Sequence, residues 1–297
     1  MITDEKLCIL NNQGFIPGPD ENLEFFLKRV EATKKLSKDP IFFFKEINQT
    51  VPIELDLKIK KPRWNWTRAQ LLNLFDFSPI NLAMFYSDKK LTFFQAAATW
   101  ILEIGKNLKV PILQFRKKLH RSTYLKIYSL DEILAHEAVH AARVAFDEPK
   151  YEEIFAYMTS TSVIRRVLGP IVKNTKDIIL FFSNLFFYLL FQIFWVITSY
   201  NPFMYVSFVF GIMMISFLSF GLFRLFFAKL KMKKTFNKLY GILKNKNKAR
   251  AVLFRLTDKE IDNLSKLKKE EFLSYFMKNK KKSIRLKVLV LAYFAFV

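Results

Sequence analysis

The stretch Ser129-Leu130-Asp131-Glu132-Ile133-Leu134-Ala135-His136-Glu137-Ala138-Val139-His140-Ala141-Ala142-Arg143 organises the reading of the whole chain. Ser129 and Glu132 have the spacing of a capping box, and no Gly or Pro interrupts the run before Phe146, so the pattern predicts one helix. A helix puts residues i and i+4 on one face, which stacks His136 on His140. Two imidazoles placed this way can share one zinc ion at about 2.0–2.1 Å from each nitrogen. Glu137, next to the first histidine, has the position of a general base for a water that such a metal activates. Two of only 3 histidines in the chain fall in this His-Glu-x-x-His motif. The competing reading is a helix whose two histidines are structural. Ala135, Ala138, Ala141 and Ala142 favour close packing against a second helix.

A catalytic zinc takes three protein ligands and keeps one position open. Asp147, Glu148 and Pro149 read as a break, after which the run from Lys150 to Tyr157 starts a second helix, Pro being suited to a first turn. Such a hairpin of helices can bring a carboxylate back to the metal. Glu153 is the first choice, Glu152 the second and Glu148 the third, because only one of two adjacent helical residues can face the first helix. Tyr157 is a candidate catalytic residue that donates a hydrogen bond to a tetrahedral oxyanion, with packing as the alternative. Arg143 can bind a carboxylate or form a structural ion pair. His120, between Lys118 and Arg121, reads as a surface histidine, with assistance in catalysis as the other possibility.

The order His136-Glu137-x-x-His140, followed by Glu153-x-x-Ala156 on the next helix, resembles the gluzincin metallopeptidases. It is similar in particular to integral-membrane members whose downstream helix carries Glu-x-x-Ala-Asp. The similarity covers residues 136–157, and this chain has Tyr157 where that pattern has Asp. The resemblance implies zinc bound by His136, His140 and Glu153, and hydrolysis of peptide bonds with Glu137 activating water.

Two further stretches bear on where this chemistry takes place. Ile178 to Ser199 and Phe203 to Phe223 are uncharged apolar runs separated by Tyr200, Asn201 and Pro202. Each is about 20 residues, enough to cross roughly 30 Å of hydrocarbon as a helix, so a transmembrane hairpin is expected. Arg165, Arg166, Lys173 and Lys176 precede it, and Arg224, Lys229, Lys231, Lys233 and Lys234 follow. By the positive-inside rule both termini face the cytoplasm. Met1 to Leu7 carries acids and no apolar run, so no secretory leader is expected, and Cys8, the single cysteine, leaves no internal disulfide.

The formal charge is +22, and residues 229–297 hold 20 Lys and Arg against 5 Asp and Glu. This excess lies beside the apolar runs, which points to phospholipid headgroups and away from nucleic acid. With only 7 glycines, Gly-rich phosphate loops are disfavoured. Helices are expected over Asn22 to Phe44 with an end near Pro40, over Asn65 to Phe77 and over the alanine-rich Phe93 to Leu108. Strands are expected at Val110 to Phe115 and Tyr124 to Tyr128, the latter as an edge for pairing with a peptide. Trp64 and Trp66 read as core or membrane-interface packing.

The expected fold class is mainly α: an α+β zincin-like catalytic domain with a transmembrane helical hairpin and a basic helical C-terminal region. Its parts are a cytosolic domain over residues 1–170, the hairpin over 171–228 and the basic region over 229–297. The expected function is that of a membrane-anchored zinc metallopeptidase, with a peptide or protein substrate and membrane lipids as partners. The alternative is a catalytically silent scaffold that binds lipid or a partner protein.

Overall fold

The computed structural model describes residues 2–93, 95–105, 108–121, 123–171 and 175–294, so Lys173 of the expected basic flank lies outside the described residues. Contacts divide the chain into two compact units, Met1–Thr161 with Lys231–Val297, and Ser162–Leu230. The fold is mainly helical, with a small three-stranded sheet among the described residues.

The first unit opens with α1 (Asp4–Asn12), α2 (Leu23–Lys38), α3 (Pro40–Glu46) and α4 (Asn65–Phe75). Asn22 caps α2, its side chain accepting from the Phe25 N–H at 2.9 Å, and Pro40 starts a new helix after the old one has ended. The sheet follows as β1 (Ala83–Tyr86), β2 (Ala97–Ile104) and β3 (Leu108–Phe115), in the order β1-β3-β2. β1 runs parallel to β3, and β2 pairs antiparallel with β3 from Ala97↔Phe115 to Ile104↔Leu108.

Two expectations are corrected here. The stretch Phe93 to Leu108 is not a helix, because Ala97–Ile104 forms the edge strand β2. Thr99, Trp100, Ile101 and Ile104 suit a pleated, half-buried surface, and Gly105 adopts φ +62°, which ends the strand. Trp100, Leu102 and Ile104 pack into a core cluster with Leu36, Phe43 and Ile112, so the alternation turns Thr99 to the other face. The second correction concerns Tyr124 to Tyr128. It is a tight turn, closed by Tyr124 N–H on the Tyr128 carbonyl at 2.9 Å and Tyr128 N–H on the Tyr124 carbonyl at 3.0 Å. Leu125 and Lys126 both have positive φ, which reverses the chain where a strand would extend it. Trp64 is a core residue at 2% exposure, whereas Trp66 is exposed.

After the sheet come α5 (Leu130–Ala142) and α6 (Pro149–Tyr157). The second unit holds α7 (Val163–Leu168), α8 (Thr175–Thr198) and the first part of α9 (Asn201–Leu243). Phe191 stacks on Phe210 at 5.8 Å, Phe187 on the same ring at 5.4 Å, and Gln192 donates to the Ser207 hydroxyl at 2.9 Å. These contacts join α8 to α9 across the turn at Ser199, whose φ is +52°. Among the described residues two helices are long and apolar enough to cross a membrane, Asp177–Thr198 and Asn201–Leu243, with mean hydropathy 2.0 and 2.2. Their apolar side chains are mostly exposed, among them Leu180, Phe186, Val196, Phe208, Ile215 and Phe220.

The chain then returns to the first unit with α10 (Lys246–Phe254), α11 (Asp258–Leu264), α12 (Lys269–Asn279) and α13 (Ile284–Tyr293). These C-terminal helices, read from sequence as a part on their own, share a core with the N-terminal residues. Phe254 stacks on Phe75 at 4.4 Å and on Phe77 at 5.5 Å. Arg255, 1% exposed, donates to Asn11 Oδ1 at 2.6 Å and to the Phe75 carbonyl at 2.7 Å. A guanidinium taken out of water needs such partners, which ties α10 to both α1 and α4.

Candidate metal centre

The motif helix α5 begins as expected, Ser129 Oγ accepting from the Glu132 N–H at 3.4 Å. Glu132 accepts from the Thr161 N–H at 2.7 Å and from the Thr161 hydroxyl, which fixes the segment after α6. The helix stops at Ala142, short of Phe146, with Arg143 as its C-cap, and Asp147 at φ +55° turns the chain into α6, where Pro149 takes the first turn. The two helices pack against each other and bring the motif together with the glutamates of α6.

Three donors converge there. His136 Nε2 and His140 Nε2 are 3.3 Å apart. Glu153 places one carboxylate oxygen 3.4 Å from His140 Nε2 and the other 3.6 Å from His136 Nε2. Ligand atoms of a tetrahedral ion with bonds of about 2.0–2.1 Å lie about 3.3–3.4 Å apart, close to the separation of the two imidazole nitrogens, and either Glu153 oxygen is near enough to join them. His136, His140 and Glu153 therefore form a group that can hold a metal ion. Their side chains stay 22%, 17% and 25% exposed, so the group is not sealed from solvent.

Glu152 has a different task. Its Oε1 accepts from His140 Nδ1 at 2.6 Å, turning Nε2 toward the other donors. The residue order on α6 thus splits the neighbouring glutamates, Glu153 facing both histidines and Glu152 standing behind His140. Glu148 accepts from the Asp258 N–H at 2.7 Å and is not in the group. Glu137 is buried and takes a hydrogen bond from the Thr99 hydroxyl at 2.6 Å, across from β2. Tyr157 sets its ring edge-on to His136, centroids 4.8 Å apart. His120 is an exposed surface histidine outside the group, as expected, its ring edge-on to Tyr86 at 5.1 Å.

The protonation pattern follows from this packing. Burial and then the neighbouring His140 push His136 down to about 3, which keeps it neutral. Burial opposes charge on His140 too, but the Glu152 hydrogen bond and the Glu153, Glu152 and Glu137 carboxylates raise it to about 9. Burial raises Glu137, with His140 and the Thr99 bond acting the other way. Burial and then Glu153 push the Tyr157 phenol up, so it stays a hydrogen-bond donor at neutral pH.

Thr99 and the part played by Glu152 went unread in the sequence. Thr99 sits in an alanine-rich run with no motif around it. Glu152 had a legible signal, since adjacent helical residues point in different directions and a ligating histidine needs an acceptor at its second nitrogen. No protein-family model, no curated protein and no solved structure matches this chain.

Proposed function

We propose that this chain is a membrane-anchored zinc metallopeptidase with a zincin-like catalytic domain. The observation that carries the reading is the convergence of His136 Nε2, His140 Nε2 and the Glu153 carboxylate at 3.3–3.6 Å, with the Glu137 carboxylate one residue along the same helix. Zinc bound by these residues would polarise a substrate carbonyl and bring the pKa of a water to about 7.

The chain's own residues then divide the remaining tasks. Glu137, held by Thr99, accepts the proton of the attacking water and passes it to the leaving amine. The Tyr157 hydroxyl donates to the oxyanion that forms on the carbonyl. Glu152 keeps His140 in the tautomer that offers Nε2. The outer edge of β2, which no other strand pairs among the described residues, takes an extended peptide as an added strand, the place that Tyr124 to Tyr128 does not offer.

The helix Asp177–Thr198 spans about 33 Å at 1.5 Å per residue, and together with the apolar first half of α9 it forms a hairpin across the bilayer. Its basic flanks keep both termini on the cytoplasmic side and bind acidic headgroups.

The test is zinc content and hydrolysis of a quenched-peptide library by the full chain in detergent. The wild type is expected to bind about one zinc per chain and cleave peptides. Glu137→Gln keeps the zinc and loses at least roughly 100-fold in rate, and His136→Ala loses both. A wild type without zinc, or a Glu137→Gln variant as active as the wild type, overturns the proposal and leaves the histidines a structural pair.

A further inference from the structure

Arg143 follows the motif by three residues, where a helical surface arginine would reach solvent, yet its side chain is fully buried. Its guanidinium lies 4.1 Å from the Phe146 ring centre and 5.3 Å from that of Phe155. Nη1 donates to the Phe254 carbonyl and, at 3.2 Å, to the Leu256 carbonyl. Nε and Nη2 have no hydrogen-bond partner among the described residues. They lie 3.9 Å from Glu152 Oε2 and 4.0 Å from Glu148 Oε2 respectively. A guanidinium excluded from water needs hydrogen-bond acceptors or opposite charge, and here two carbonyls supply the first and these two carboxylates the second.

The other end of Glu152 carries the consequence, because its Oε1 is the oxygen 2.6 Å from His140 Nδ1. One carboxylate thus stands between a buried cation and the ring of a metal ligand. The far side of the cation is gripped by carbonyls from the end of α10 and the loop after it, and Glu148 is anchored by the Asp258 N–H that opens α11.

Resting on the metal reading above, we infer that Arg143 is a positioning residue of the centre. It fixes Glu152, and through it the ring orientation of His140, and makes the C-terminal helices part of the support of the site. Removing the charge frees Glu152 to turn away from His140, and metal affinity falls although no ligand has been touched. Outer partners of ligating histidines typically change metal affinity by about 10–100-fold.

The experiment is a double-mutant cycle on the full chain in detergent, read by zinc competition against a chelator and by the visible spectrum of the cobalt-loaded protein. Arg143→Gln and Glu152→Gln should each weaken zinc by about 10–100-fold. The double variant should be no weaker than Glu152→Gln alone, since the arginine acts through the glutamate. The cobalt spectrum should change in all three. A merely structural arginine predicts wild-type affinity and spectrum once folded, or losses that multiply, and either outcome overturns the inference. Should Arg143→Gln fail to fold, Arg143→Lys keeps the charge without the planar fork, and a smaller but equally non-additive loss is expected. A wild type that takes up no zinc removes the metal reading itself. Wild-type uptake with unaltered Arg143 variants removes this inference alone.

Discussion

Glu137 and His140 each depend on one side chain that the motif does not contain. The Thr99 hydroxyl holds the Glu137 carboxylate at 2.6 Å, and Glu152 holds His140 at the same distance. A hydrogen bond to a charged group is worth about 1.5–3 kcal/mol, and about 1.4 kcal/mol corresponds to a factor of ten in rate. Thr99→Val keeps the shape and removes the bond. It is expected to lower kcat/KM by about tenfold or more while zinc content stays at the wild-type level, measured side by side on one preparation. Equal loss of zinc and activity would assign Thr99 to the fold instead of to the base. The sequence could not show this contact, because Thr99 and Glu137 are 38 residues apart and meet only when β2 packs on α5.

Among the elements, α6 carries both Glu152 and Glu153, and at 9 residues it is too short to be stable alone. Asp262 on α11 secures it, accepting from Lys150 and, at 2.6 Å, from the Tyr151 hydroxyl, with Lys231 at 3.0 Å as a further ion pair. Partial burial works against the charge on Asp262, but the bonds from Lys150, Tyr151 and Lys231 outweigh it and bring the group from 3.8 down to about 2. A depressed carboxyl stabilises the fold above its unfolded value, and that contribution fades as the pH falls from about 4 to about 2. Asp262→Asn should therefore cost about 1 kcal/mol near pH 7, after allowance for solvent screening, and much less near pH 2. Thermal unfolding of both proteins at several pH values measures it, and a difference that does not shrink with acid would contradict the clamp. The helix identity of α5 and α6 was legible from periodicity, capping and Pro149. That of β2 was not, since three alanines suit a helix locally and only pairing with β3 and burial of Leu102 select the strand.

At the scale of the molecule, the site and the apolar hairpin belong to separate compact units, and the first unit is closed by a segment that returns after the second. Replacing residues 162–230 by a flexible polar linker should release the protein from the membrane fraction and leave cobalt binding intact. Sedimentation after cell breakage and the cobalt spectrum of the soluble protein test the two halves of that expectation. A variant that stays with the membrane would show that other surfaces anchor the chain, and one that loses cobalt would show that the units are not separable. Read alone, the sequence determined the motif helix, its two histidines and the adjacent glutamate, and the two long apolar runs. All of these are local properties of spacing and hydropathy over a few turns of chain. Only the tertiary structure decided which glutamate faces the histidines, which one stands behind His140, that Thr99 reaches Glu137, and that the basic C-terminal helices share a core with α1 and α4. Each of those depends on side chains far apart in the chain meeting in one packed interior, where burial and hydrogen bonding select among arrangements that local pattern leaves equal.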